Sequence, residues 1–509
     1  LRDSPRDWPQ RLNYKEDLAD TVLKWMGDPG RFAPADLGLA WLLELVARSE
    51  PRYHEFGVET LIRSFTPADL APRGDDRVEF IGVTFAFAGK TAQQPREQYE
   101  ELVRHNGGTL WNMISPNLHY LVIGDDGSAL LGQGPKGSRQ QKAEELNAAG
   151  ANIAILTEAA LVELLAPKPA AGDATQAGCE RLWRMAITPG PADSPIASFA
   201  RKYLLARHPE FAAEENRKLA EGAEVPREFY SFARVKSLFF ETRRPLRDFA
   251  LELARREFAR WSPAAEDLIK LCEAPQHAVR AFVAEALLAE DSPENRRFRI
   301  DPGKLSAAAV FSFCESLEES TRELGMQLIR RSPALHTPDL LFNLLESPDR
   351  KVRSFAIRLL WSLYRDRGIT AGWKPTPRPE KETKKKQKVD PGPGAPVRPE
   401  QVPIDLEHLR ESLRRVLFEL PGSRPPPEHP DQEITFRLKA LSTREAKLSM
   451  IEVIRDLALE EFDFARIVQP VLEEFIGSRG QSEKHACLVA VTRIRHAHIE
   501  LRGSEEAAS

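Results

Sequence analysis

Val83-Thr-Phe-Ala-Phe-Ala-Gly-Lys90 is the stretch from which the rest of this chain can be read. An aromatic-interleaved, β-rich run closes on a glycine, and a polar helical pattern follows through Glu97-Gln-Tyr-Glu-Glu-Leu-Val103. Asn106-Gly-Gly-Thr109 then punctuates the chain, and a short apolar-polar run leads into Leu118-His-Tyr-Leu-Val-Ile-Gly124, which reads as a buried strand. A second helical pattern (Ser138-Arg-Gln-Gln-Lys-Ala-Glu-Glu-Leu146), a third strand pattern (Asn152-Ile-Ala-Ile-Leu156) and a third helix (Glu158 to Leu165) complete the unit. Strands alternating with helices between residues 77 and 165 predict a small parallel sheet with helices on its faces.

Six landmarks stand in order along this unit: Phe85-Ala-Phe-Ala-Gly89, Gly107-Gly108, Tyr120-Leu-Val-Ile-Gly124, Gly137-Ser-Arg139, Lys142-Ala143 and Ile153-Ala-Ile-Leu-Thr-Glu158. In that order they resemble a BRCT domain, most closely the type at the C-terminus of bacterial NAD-dependent DNA ligases. Many members of that family bind phosphoserine peptides. They use a Ser or Thr before the glycine that ends strand one, with a basic residue at the start of helix two. Here Ala88 holds the first position and donates nothing through its side chain. The Gly89 amide, Lys90, Arg139 and Lys142 are left as the implied anion site, helped by the exposed amides of a helix start. Phosphopeptide recognition, contact with DNA ends or phosphate backbone, and plain protein docking all stay open at this point. The resemblance reaches none of the nucleotidyl-transfer machinery of a ligase.

Beyond the α/β unit the chain is helical, and the pattern repeats. Leu268-Ile-Lys-Leu-Cys-Glu-Ala-Pro-Gln-His-Ala-Val-Arg-Ala-Phe282 aligns without a gap with Val310 to Leu324 and with Leu341 to Phe355. A fourth copy runs from Val235 to Phe249, and hairpins at Leu42 to Phe56 and Leu472 to Ala486 fit the apolar positions without the arginine. A helix, a turn, then a second helix opening on an apolar residue and Arg resembles the HEAT repeat. One such hairpin cannot bury its own apolar face, so neighbours are expected to stack into an α-solenoid. The expected organisation is mainly α: N-terminal hairpins over 1–66, the BRCT-like α/β domain over 77–165, and HEAT-like repeats over 179–366. A basic, Pro-rich disordered linker over 373–403 and further HEAT-like helices over 404–502 complete it.

The recurring Arg247, Arg280, Arg322 and Arg353 would form a ladder in a stacked array. A ladder of guanidinium groups can track a phosphate backbone or an acidic partner. The structural alternative is that each pairs with carboxylates or carbonyls of its neighbour; Asp248, Glu273, Glu315, Glu323, Glu346 and Asp349 are close in sequence. Residues 374–388 carry seven Lys/Arg against two Glu, and Lys384, Lys385, Lys386 and Lys388 are candidates for weak, salt-dependent contact with nucleic acid or an acidic surface.

Composition sets limits on these readings. The chain has 509 residues and a net charge of −4, so several domains are expected and no global field draws it onto nucleic acid. No run of about 18 apolar residues is present, so no membrane span is expected. Four dispersed cysteines (Cys179, Cys272, Cys314, Cys487) read as buried thiols of a reducing compartment. His485, Cys487, His496 and His498 have the wrong spacing for a metal site, since helical residues two apart face different ways. No Gly-rich phosphate loop, HExxH or nucleophile elbow occurs. The expectation is a cytoplasmic, bacterial, non-enzymatic adaptor with protein partners, DNA as a possible one, and neither cofactor nor small-molecule substrate. The rivals are a DNA-binding protein proper, and a non-catalytic part of a larger enzyme whose catalytic domain lies upstream of Leu1, which is not a Met.

Overall fold

Pro51, placed at the first helical position where its missing N–H costs nothing, opens the second helix of the N-terminal hairpin. The hairpin consists of α1 (Leu39–Val46) and α2 (Pro51–Ser64). The helices cross closely at Gly57, where a Cβ would lie 2.8 Å from Val46 Cγ2. In this computed structural model residues 14–28, 30–72, 79–166, 173–191, 194–214, 223–336, 338–364, 410, 413, 438–439, 441–477 and 481–502 are described. They divide into two compact units, Leu1–Ser262 and Pro263–Ser509. The sequence-predicted linker over 373–403 lies outside the described residues, as does most of 404–437.

Residues 67–70, between the predicted N-terminal hairpins and the α/β domain, form a built turn. Thr66 and Asp69 cap it reciprocally: the Thr66 amide donates to Asp69 Oδ2 at 2.8 Å and the Asp69 amide to Thr66 Oγ1 at 3.3 Å. Pro67 and Leu70 are buried. The turn packs against a helix that lies beyond the α/β unit in sequence.

The α/β unit has four parallel strands: β1 (Thr84–Ala88), β2 (Thr109–Leu110), β3 (Tyr120–Ile123) and β4 (Ala154–Leu156), in the spatial order β2-β1-β3-β4. β2, a two-residue edge strand, is the short run left unassigned from sequence. Its partners are Thr84 opposite Thr109 and Phe85 opposite Leu110. Two helices, α3 (Arg96–His105) between β1 and β2 and α4 (Ser138–Ala148) between β3 and β4, supply crossovers, and α5 (Glu158–Leu165) follows the last strand. Strand alternation then sorts the core. Phe85, Phe87, Tyr120 and Val122 face α3 and α5, packing on Tyr99, Val103, Leu161 and Leu165. Ala86, Leu121 and Ile123 face the other way, with Ala143 of α4. Helices on both faces explain why these strands read as continuous apolar runs.

After the sheet, Asp173 caps α6 (Ala174–Ile187) by accepting from the Gln176 amide at 2.8 Å, which starts the helix earlier than the predicted boundary at 179. α7 (Pro195–Ala206) follows. The segments flanking the α/β unit are packed on each other: α7 contacts α1 and α2, and α6 lies on the turn at 67–70. A Cβ at Gly178 would sit 1.7 Å from the Pro67 carbonyl oxygen, so only glycine permits that approach. Tyr203 donates its hydroxyl to the Phe65 carbonyl at 2.7 Å, and Arg207 bonds the same oxygen at 3.0 Å. The α/β unit is therefore an insertion between helices that form one packed group. In the fourth predicted repeat the first helix is replaced by one short helix and a 3-10 turn (Lys236–Phe240) before α8 (Arg244–Trp261).

The second unit is a succession of helical hairpins: α9 (Ala265–Cys272) with α10 (His277–Leu288), α11 (Ala307–Phe313) with α12 (Glu319–Arg331), and α13 (Pro338–Leu344) with α14 (Arg350–Tyr364). The second helices pack in order, α10 on α12 and α12 on α14, and α14 packs on α15 (Thr443–Glu460). α16 (Phe462–Ile476) and α17 (Gln481–Ala497) close the array against α15 and each other. The chain is thus mainly α with one small α/β domain. All four cysteines are buried free thiols, and burial pushes each thiol well up from its ordinary value. Among the described residues no helix is long and apolar enough to cross a membrane.

Candidate functional site

The α/β unit has two edges, and the rest of its unit covers one of them. At the amino ends of the strands, the Gly190 amide donates to the Asn152 carbonyl at 2.7 Å. Gly190 itself lies against the His119 imidazole, where a Cβ would be 2.7 Å from Cδ2. Its φ of 98° is a second reason for glycine there. His119 is buried and accepts at Nδ1 from the Thr84 amide at 3.3 Å. Burial lowers its pKa to about 4. Just before β1, Glu79 pairs with Arg181 at 3.2 Å and accepts from Arg184 Nε at 3.0 Å, both on α6. A cavity of about 220 Å³ follows this seam, with Phe80, Val83 and Tyr120 on one side and Met185 and Ile196 on the other.

The carboxyl ends of the strands gather the predicted anion site. β1 runs out at Ala88, and Gly89 turns the chain with φ 76°. Gly124, at the end of β3, donates its amide to the Ala88 carbonyl at 2.8 Å. The β3 end presses so closely on the turn that a Cβ on Gly124 would lie 2.1 Å from the Lys90 oxygen. The Asp126 amide adds a bond to that oxygen at 3.1 Å. From the first turn of α4, Arg139 Nη1 reaches back to the Phe87 carbonyl at 2.6 Å. One guanidinium is thereby held two residues from Gly89. Lys90 and Lys142 are exposed. The start of α4 has no side-chain cap and no acid in its first turn, so its amides and partial positive charge are open. Lys136 just before it is paired with Glu144 at 2.7 Å.

Sequence reading missed Glu158. This carboxylate, at the first position of α5, is fully buried. It accepts from the amides of Ala92 at 2.7 Å, Gln93 at 3.2 Å and Asp125 at 2.6 Å, and from the Tyr99 hydroxyl at 2.9 Å. Burial alone would raise its pKa, but the three amides and the phenol outweigh it and hold the carboxyl below its usual range. Tyr99, buried against that negative charge, is pushed up to about 12. The available signal was Thr157-Glu158 directly after a strand pattern, a capping hydroxyl followed by an acid at a helix start.

The repeat arginines are engaged with the backbone of their own hairpins. Three of them reach carbonyls five and six residues back through Nη1: Arg247 to Glu241 and Thr242 at 2.8 and 2.6 Å, Arg280 to Ala274 and Pro275 at 2.6 and 2.9 Å, Arg322 to Ser316 and Leu317 at 2.8 and 2.9 Å. Arg353 bonds the Ser347 carbonyl, six residues back, through Nε. In the second unit each also reaches forward: Arg280 to Glu318 at 2.6 Å, Arg322 to Asp349 at 2.9 Å, and Arg353 to the Ala446 carbonyl at 2.8 Å. Such a cation answers unpaired carbonyls at a helix C-terminus and staples one hairpin to the next. Lys384, Lys385, Lys386 and Lys388 lie outside the described residues. Toward the C-terminus, His485 and His496 are exposed, Cys487 is buried, and His498 bonds the Ala458 carbonyl at 2.7 Å.

No model of a known protein family matches the chain. Over 86 residues it is 35% identical to a DNA ligase of Metamycoplasma arthritidis, a match covering 17% of this chain and 11% of the ligase. The chain thus spans about a tenth of that relative's length. Among solved structures, the crystal structure of an engineered protein aligns over 94% of this chain and 95% of its own, at 13% identity with a TM-score of 0.22.

Proposed function

We propose that this chain is a non-enzymatic adaptor. In this reading the α/β unit is a BRCT module that seats an anionic group of a protein partner at its carboxyl edge, and HEAT-like hairpins carry the module and add partner surface. One observation carries the reading. The module is gripped by its amino edge, through Asn152, His119 and Glu79, while Gly89, Lys90, Arg139 and Lys142 stand together at the edge left open. In open parallel sheets the crevice at the strand carboxyl ends is where ligands sit. The strand order, the glycine landmarks and the 86-residue similarity to a DNA ligase support the BRCT assignment and a link to DNA repair or replication. Four buried free thiols support a reducing, cytoplasmic setting. The repeat arginines drop out of the proposed contacts, since their donors serve backbone carbonyls.

The test is charge reversal at the open edge of the intact chain. Arg139→Glu with Lys142→Glu should abolish capture of the protein partner while the thermal unfolding midpoint falls by only a few degrees. Capture that is unchanged sinks the reading. A second reading, direct DNA contact, draws on the ligase similarity. A fluorescently labelled nicked duplex should then bind the intact chain with a steep salt dependence, and no binding at low salt removes it.

A further inference from the structure

We propose that Glu158 is the positioning residue of the anion seat, one buried carboxylate that fixes both loops from which the seat is built. The inference rests on the reading above, that Gly89, Lys90, Arg139 and Lys142 hold an anion. The loop after β1 carries Gly89 and Lys90, and two residues further on its Ala92 and Gln93 amides are bound by Glu158. The loop after β3 carries Gly124, which touches the Lys90 carbonyl, and the next amide, Asp125, is bound by the same carboxylate. In return the Glu158 amide donates to Asp125 Oδ1 at 3.3 Å, closing the ring. Lys90 therefore sits between two points held by a single side chain, on a turn with no slack. Tyr99 completes the set from α3, so all three structural pieces bordering the turn converge on one charge.

The negative charge matters as much as the shape. Four donors aim at one site, and a carboxylate offers only acceptors, so every donor is satisfied. An amide side chain there would set an NH2 group against backbone N–H donors. The loops would separate and the Gly89–Lys90 turn would lose its place relative to Arg139. Glu158 itself stays out of the seat: it is fully buried and its oxygens are occupied by donors of its own chain.

The experiment titrates inorganic phosphate, followed by 31P line broadening, against the intact chain and three full-length variants. Glu158→Gln should weaken binding at least tenfold, and Tyr99→Phe, which removes one donor of four, about threefold. Leu161→Ala is the control: it opens the core beneath the same helix without touching either loop, and should bind within twofold of the parent at a temperature where it is folded. Peptide-level hydrogen exchange should speed up over 90–94 and 124–126 in Glu158→Gln and not in Leu161→Ala. Parent-like binding by Glu158→Gln overturns the proposal, as does an equal loss in Leu161→Ala. If Glu158→Gln does not fold, Tyr99→Phe against Leu161→Ala decides by the same criteria. A parent chain that binds no phosphate overturns the anion seat itself, and that result is distinct from a parent that binds and a variant that binds equally well.

Discussion

The cations of the helical hairpins and those of the α/β unit start from the same side chains and end in different roles. Arg280 and Arg353 are buried, with donors turned onto carbonyls of the turn behind and acceptors of the hairpin ahead. Lys90 and Lys142 are exposed, and Arg139 is half-buried and donates to the Phe87 carbonyl. The difference follows from what each region must satisfy. A short helix ends in carbonyls that have no intrahelical partner, and in a stacked array water is excluded from them, so a cation at a fixed offset is recruited to the fold. A parallel sheet satisfies its backbone through neighbouring strands, and its carboxyl edge ends in helix N-termini. Arg139 still answers one strand-end carbonyl, that of Phe87, while Lys90 and Lys142 stay exposed at that edge.

That contrast can be broken at several points. The largest effect is expected for Arg353→Met, which removes the buried guanidinium's bonds to the Ser347 and Ala446 carbonyls. Equilibrium urea unfolding of the second unit should report a loss of about 4 kcal/mol. A loss under about 1 kcal/mol would falsify the staple role. Next comes the docked edge. His119 has a folded value of about 4 against an ordinary 6.5. Its contribution is complete above the unfolded value and is lost as pH falls from 6.5 toward 4, amounting to about 3 kcal/mol. Thermal unfolding of the first unit across that window should drop for the parent and stay flatter for His119→Gln. The smallest effect on stability is expected for Lys142→Ala, within about 0.5 kcal/mol. If the open edge meets a phosphate backbone, the same change should lower the salt slope of nicked-duplex binding by about 1.

Much of the architecture was legible. Period-two aromatics at Phe85 and Phe87, the glycines at 89, 107, 108 and 124, and the alternation with polar helices specify a parallel α/β unit because those features are local. The recurring apolar-Arg pair marked the hairpins for the same reason. β2 escaped because two residues cannot display a period. The turn at 67–70 escaped because its Thr-Pro-x-Asp pattern reads equally as loop, and only the packing of Gly178 on Pro67 shows that it is buried. Of the proposed anion site, Gly89, Lys90, Arg139 and Lys142 were named from sequence, while the role of Glu158 beneath it was not, since a glutamate opening a helix is ordinarily a solvated acid.

By itself the sequence determined which segments are strand, helix and turn, and which positions carry charge, because periodicity and backbone freedom act over a few residues. Tertiary structure decided what each charge is for. It turned the repeat arginines onto carbonyls, buried Glu158 beneath four donors, and packed the amino edge of the sheet against the segment around Gly190 while Lys90 and Lys142 at the carboxyl edge stay exposed. A charge becomes structural or available according to which unpaired groups and how little water surround it, and that environment is assembled from residues far apart in the chain.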